Sequence, residues 1–275
     1  MAIEVQPLTP LIGATISGVN LSRVDEPTFE QIKTAFLKHL VVFFRDQDIS
    51  LEEHIAFGRR FGDLHVHPAN GDYQDTKNLP PEILRIHADE TTKRTAGDKW
   101  HSDVSCDPEP PAASILRLTT LPPQGGDTLF ANMYAAYDAL SSSMKKMLEG
   151  LTATHDGGPN YRDRARRNGI DMSHKQYPRN SHPIVRTHPE TGRKALYVNC
   201  VFTQSIDDIP EDESDAILNF LYQHSCKAMF QCRFQWKVNS VAMWDNRCAM
   251  HHAIWDYYPQ VRTGQRVTVK GDRPR

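Results

Sequence analysis

Short runs rich in β-branched, aromatic and other apolar residues recur at 83–86, 113–121, 127–130, 184–187, 194–199, 230–236, 241–244 and 266–270. This recurrence restricts the fold more than any other feature. Each run is too short for an independent helix and long enough for a strand, so most of the chain predicts two facing sheets. The first quarter reads differently. Phe29, Ile32, Phe36 and Leu40 recur at helical spacing through 27–40, and Val41-Val42-Phe43-Phe44 then has the unbroken apolar character of a buried strand. Ser50 with Glu53 three residues later predicts a capping box that opens a second helix, carrying Leu51 and Ile55 and stopped by Gly62. Helical patterns also run through 132–151, interrupted near Ser141, and through 211–224, where Ile217, Leu218 and Leu221 mark the buried face.

These patterns predict a mixed β protein with flanking helices, a double-stranded β-helix of the jelly-roll class. There is no repeat, low-complexity tract or linker, so one domain over 1–275 is expected. The polar, basic stretch at 154–183 has weak apolar periodicity and reads as a long loop, either an exposed insertion or a lid.

Charge narrows the function. Lys and Arg total 32 against 34 Asp and Glu, which leaves no cationic excess for a phosphate backbone and argues against nucleic acid as a partner. The five cysteines are odd in number and form no CxxC pair, the pattern of reduced thiols. No signal-peptide pattern and no apolar run of membrane-spanning length is present, so a soluble cytoplasmic protein away from membranes is expected.

The chemistry centres on His101-Ser102-Asp103. In a strand, residues two apart project from the same face, so the imidazole and carboxylate can reach one metal ion. Two imidazoles and one carboxylate on one face of an octahedral ion leave open positions opposite, as in non-haem iron(II) oxygenases. The second histidine must come from elsewhere among the 13 in the chain; His251 and His252 are both candidates, and spacing does not choose between them. Arg262 and Arg266 follow His251 by 11 and 15 residues. An arginine near the metal suits a dicarboxylate such as 2-oxoglutarate, because its planar fork binds a carboxylate through two hydrogen bonds. As isolated features they would read as surface residues of a charged segment.

Taken in order, a series of motifs resembles the taurine dioxygenase and 2,4-dichlorophenoxyacetate dioxygenase family almost end to end. It comprises Ile12-Gly13-Ala14 with Ile16-Ser17-Gly18-Val19, VVFFRDQ at 41–47, FGDLHVHP at 61–68, Trp100-His101-Ser102-Asp103-Val104, Gly125-Gly126-Asp127-Thr128, Leu196-Tyr197-Val198-Asn199, and WDNR at 244–247 followed by His251. The resemblance implies that His101, Asp103 and His251 hold Fe(II), with His252 a neighbour. It implies that Thr128 and Arg262 contact 2-oxoglutarate, that O2 is the oxidant, and that His67, Phe202 and Arg266 line the substrate end. Trp100, Asp245 and Asn246 are expected to support the ligands.

It further implies hydroxylation of a small organic anion beside its heteroatom group. A sulfonate of taurine type would give aldehyde, sulfite, succinate and CO2; an alkyl sulfate ester or aryloxyalkanoate is the alternative. Gly97 and Asn70 stand where the taurine enzymes carry an asparagine and a tyrosine, which argues against taurine itself. Relatives are commonly dimers or tetramers, so a homo-oligomer is expected. Readings of another class are a zinc hydrolase and a non-catalytic small-anion binding module.

Overall fold

The computed structural model describes residues 3–68 and 79–275. A seven-stranded sheet runs in the order Glu4–Pro7, Ala14–Ser17, Val41–Phe44, Ser240–Asp245, Ala113–Thr120, Arg262–Val269, Ile83–Ala88. Only the pairing of Ala14–Ser17 with Val41–Phe44 is parallel.

Both faces of this sheet are covered, and side-chain alternation shows how. Val42, Phe44, Ile115, Met243, Val267 and Val269 pack on one side with Ile32 and Phe36 of helix Glu26–His39 and with Phe57 of helix Leu51–Arg59. Phe43, Leu116, Leu118, Ala242 and Trp244 pack on the other side against a three-stranded sheet, Gln231–Phe234, Thr128–Asn132 and Ala249–Ala253. Phe43 stacks on Phe234 at 3.9 Å and meets Phe130 edge-on at 5.6 Å. Burial on both faces is why 41–44 has no polar alternation. The two early helices form where expected, each closed by its own cap: Asp25 accepts from the Thr28 amide, and Ser50 and Glu53 make the reciprocal capping box.

Three expectations change. The stretch 154–183 is not a featureless loop: it contains the end of strand Thr152–Asp156, helix Gly158–Arg167 and strand Arg179–Pro183. The helix escapes a periodicity search because only Gly158, Tyr161 and Ala165 are buried on it. His101-Ser102-Asp103 does not lie within a strand. His101 makes an isolated bridge to His251, and Asp103 already belongs to a turn in which Val104 has φ +47°. Strand Ala249–Ala253, absent from the β-rich runs, carries His251 and His252.

The core also predicts acid lability. Burial drives the pKa of His54 down to about 4, although its Nε2–H donates to the Ile115 carbonyl at 3.1 Å, and burial with the neighbouring His182 drives His155 to about 3. Both rings are therefore neutral in the folded protein, and the unfolded chain binds the extra protons. Their contribution is present above about pH 6.5 and falls as pH drops towards 4, with a loss on the order of 3 kcal/mol for a shift of His54's size. A thermal midpoint that falls between pH 7 and pH 5, with a shallower fall in His54→Gln, is the expected result. An identical slope in the variant would rule out His54 as a source.

Candidate metal centre

Strand Thr128–Asn132 pairs with Ala249–Ala253 so that His251 lies opposite Phe130, and the backbones of His101 and His251 exchange two hydrogen bonds, of 3.0 and 2.8 Å. This bridge fixes the first histidine beside the second. The turn at 103–106 then brings Asp103 back towards both. One ligand atom from each of His101, Asp103 and His251 falls within a 4.8 Å span, and all three residues are buried. Asp103 Oδ1 is 3.7 Å from His101 Nε2 and 3.9 Å from His251 Nε2.

Their neighbours prepare these groups for a cation. His101 Nδ1–H donates to the Lys99 carbonyl at 2.7 Å, leaving the Nε2 lone pair facing Asp103. Burial, then the adjacent His101, holds His251 well below the usual histidine range, so its ring is neutral at neutral pH and able to coordinate a metal. Burial alone would raise the pKa of Asp103, but Arg266 and His251 outweigh it and keep the carboxylate ionised. Asp103 Oδ2 accepts from Ser114 Oγ at 2.7 Å, Ser114 accepts from Asn246 Nδ2 at 3.0 Å, and Asn246 Oδ1 accepts from Trp244 Nε1 at 2.9 Å. Such outer hydrogen bonds orient a metal ligand.

The expected supporting residues divide. Asn246 does hold Asp103. Asp245 instead accepts from His188 at 3.0 Å and from Arg247 at 2.9 and 2.7 Å, on the sheet face away from the centre. His188, Asp245 and Cys248 form a second compact group, but both His188 nitrogens are engaged: Nδ1 accepts from the Glu190 and Thr191 amides. Trp100 packs its ring on His252 at 5.6 Å. His252 itself alternates to the other side of its strand from His251 and is not in the three-residue group. Ser114 was invisible in the sequence, since nothing distinguishes it from any other strand serine.

A cavity of about 430 Å³ opens on these three residues, and His67, Thr128, Phe202, Arg262 and Arg266 all line it. Val267 and Val269 face the helices, so Arg262 and Arg266, an even number of residues apart on the same strand, face the sandwich interior. Arg262 is 3% exposed. Its Nε donates to the Gly126 carbonyl at 3.1 Å, while its Nη2 is buried with no acceptor among the described residues. Gly126 sits at φ +72°, where a Cβ would come within 3.2 Å of the Arg262 side chain, and Gly125 at φ +80° has Asp256 where its Cβ would stand, which explains the paired glycines ahead of Thr128. Thr128 Oγ1 accepts from Trp236 Nε1 at 3.0 Å and keeps its own hydroxyl proton to donate.

Arg266 Nη1 donates to Asp103 Oδ1 at 2.6 Å, a contact not foreseen, and its buried Nε has no acceptor among the described residues. Gly97, at φ +80° with His101 Cε1 3.2 Å from where a Cβ would stand, offers the cavity backbone only. Asn70 lies outside the described residues.

The donor set fits a mononuclear centre of the two-histidine, one-carboxylate class: three candidate ligands on one side, a cavity on the other, and Arg262 lining that cavity with a buried Nη2 that has no acceptor among the described residues. The model of the family described as "Taurine catabolism dioxygenase TauD, TfdA family" matches residues 4–268, and the chain belongs to that family. An alpha-ketoglutarate-dependent sulfonate dioxygenase of Saccharomyces cerevisiae is 32% identical over 99% of this chain and 68% of its own. An alpha-ketoglutarate-dependent sulfate ester dioxygenase of Pseudomonas putida is 32% identical over 100% of this chain and 91% of its own. The crystal structure of a taurine dioxygenase from Burkholderia xenovorans superposes with a TM-score of 0.84 at 36% identity, covering 100% of this chain and 93% of that one.

Proposed function

We propose that this chain is an iron(II)- and 2-oxoglutarate-dependent dioxygenase that hydroxylates a small organic anion at the carbon next to its heteroatom group. A sulfonate of taurine type is favoured over an alkyl sulfate ester or an aryloxyalkanoate. The observation that carries this reading is that His101, Asp103 and His251 share one cavity with Arg262, whose buried Nη2 has no acceptor among the described residues. The pairing of that guanidinium with the Thr128 hydroxyl in the same cavity favours this reading over a zinc hydrolase.

When bound, iron and the keto acid together supply oxidative decarboxylation of the keto acid by O2, yielding succinate, CO2 and an oxygen atom for the substrate carbon. The protein's part is positioning. Arg262 and the Thr128 hydroxyl hold the distal carboxylate of 2-oxoglutarate. Arg266 and His67 hold the anionic head of the substrate, and Phe202 with Val104 and Tyr161 forms an apolar wall that keeps water out. A sulfonate hydroxylated at its α-carbon then collapses to aldehyde and sulfite.

The packing of the seven-stranded sheet on the three-stranded sheet supports a double-stranded β-helix, in which the segment at 154–183 serves as lid over the cavity. Five cysteines without a disulfide support a reducing, cytoplasmic setting, and no helix among the described residues is long and apolar enough to cross a membrane.

Purified protein with iron, ascorbate and 2-oxoglutarate is expected to consume O2 and release succinate in step when offered an accepted sulfonate, alkyl sulfate or aryloxyalkanoate. Hydrolysis with zinc and no keto acid would overturn the reading.

A further inference from the structure

The two groups proposed to hold the far carboxylate of 2-oxoglutarate stand on different sheets. Arg262 opens strand Arg262–Val269 of the seven-stranded sheet, and Thr128 opens strand Thr128–Asn132 of the three-stranded sheet. The two sheets share no ladder among the described residues, so strand register does not set the separation of these side chains. Contacts between side chains have to set it.

Trp236 touches both. It lies two residues beyond strand Gln231–Phe234, whose Phe234 is paired with Thr128, and its ring meets the Phe234 ring edge-on at 5.0 Å. The edge of the indole donates from Nε1 to Thr128 Oγ1 at 3.0 Å, and its face carries the Arg262 guanidinium 5.7 Å from the ring centre. That face matters because Arg262 is a desolvated cation. Burial lowers its pKa, Tyr257 and Asp127 oppose this only in part, and Asp127 is itself paired with Arg233 at 2.6 Å. A ring face attracts a cation, the more so out of water. The Gly126 carbonyl restrains the arginine at Nε, and the indole restrains the guanidinium beyond it. Trp236 is half-buried and is not among the described residues that line the cavity, whereas Thr128 and Arg262 are. It therefore acts on a ligand only through those two.

We propose that Trp236 is a positioning residue that fixes the Thr128 hydroxyl and the Arg262 guanidinium relative to each other, and so makes the site selective for the five-carbon 2-oxo diacid over its six-carbon homologue. The inference rests on the co-substrate reading above. A 2-oxo acid that chelates the metal through one end presents its other carboxylate at a reach set by its carbon count. Two donors held by one rigid ring accept a single reach. Released from the ring, the Thr128 hydroxyl turns and the long arginine side chain shifts, so the diacid with the extra methylene is accommodated and the matching one loses the advantage of a preorganised site.

Binding of 2-oxoglutarate and of 2-oxoadipate is measured calorimetrically to the full chain loaded with Mn(II), under exclusion of O2. The wild type is expected to prefer 2-oxoglutarate by about tenfold or more, the worth of a hydrogen bond and a cation–π contact together. Trp236→Leu should weaken 2-oxoglutarate by about that factor and leave 2-oxoadipate nearly unchanged, so that the preference collapses. Trp236→Phe keeps a ring face for Arg262 and should lose about fivefold, the size of the single hydrogen bond. In a Thr128→Ala background Trp236→Phe should cost nothing further, because the indole N–H acts only through that hydroxyl. A loosened fold would instead weaken both diacids alike and persist in the Thr128→Ala background. Either result overturns the assignment, as does a wild type without the preference. If Arg262→Leu weakens 2-oxoglutarate and Trp236→Leu does not, this inference fails and the co-substrate reading stands; if neither weakens it, both fail.

Discussion

Replacing His251 with alanine is expected to eliminate succinate formation, by at least about a thousandfold, because losing one of three ligands must cost more than the roughly 10–100-fold typical of losing an outer partner. The fold should survive. The hydrogen bonds that tie this strand to His101 use backbone atoms, so the cost to packing is the contact of the ring with Trp244 at 4.6 Å and with Phe130 at 6.2 Å. Circular dichroism and metal titration separate the two effects. Ser114→Ala provides the graded comparison: it leaves all three ligands but frees Asp103 Oδ2, and metal affinity should drop by the 10–100-fold of an outer partner. A His251→Ala protein that still decarboxylates 2-oxoglutarate at the wild-type rate would mean that the ligand set is wrong.

Arg262→Leu should raise the KM for 2-oxoglutarate by about 10–150-fold, the equivalent of roughly 1.5–3 kcal/mol for hydrogen bonds to a charged group. Metal affinity should be nearly unaffected, because Arg262 contacts Gly126 and none of the three ligands. Arg262→Lys keeps the charge but not the fork, and Lys cannot both satisfy the Gly126 carbonyl and chelate a carboxylate, so a KM between wild type and the leucine variant is expected. A leucine variant with an unchanged KM for the keto acid would dissociate this arginine from the co-substrate and leave its burial unexplained.

Much of the scaffold was legible from side-chain patterning. The helix at 27–40 and the strand at 41–44 follow from apolar spacing, and the capping box at Ser50 and Glu53 forms as its residue types require. Helix Gly158–Arg167 was not legible. Its buried face is only a glycine, a tyrosine and an alanine, and its arginines gain meaning from the cavity beneath them rather than from their order. Strand Ala249–Ala253 was missed for a related reason: His251 and His252 replace the β-branched residues that signal a strand, and pairing with Thr128–Asn132 supplies what propensity does not.

For the metal centre, the HxD spacing identified two groups able to share an ion, but the reason given for it, a common strand, does not hold. Convergence depends on the bridge at His101 and the turn after it. The family resemblance selects His251 as the candidate, and strand alternation separates it from His252, since 251 and 252 face opposite ways and His251 is the one grouped with His101 and Asp103. Local sequence determined which residue types were present and which segments would become helices or buried strands, because those depend on neighbours within a few positions. The tertiary structure alone decided that Ser114 and Asn246 hold Asp103, that Asp245 does not, and that Arg266 donates to Asp103. Those relations join residues many tens of positions apart, and hydrogen bonds and charges act through space, which the order of residues does not encode.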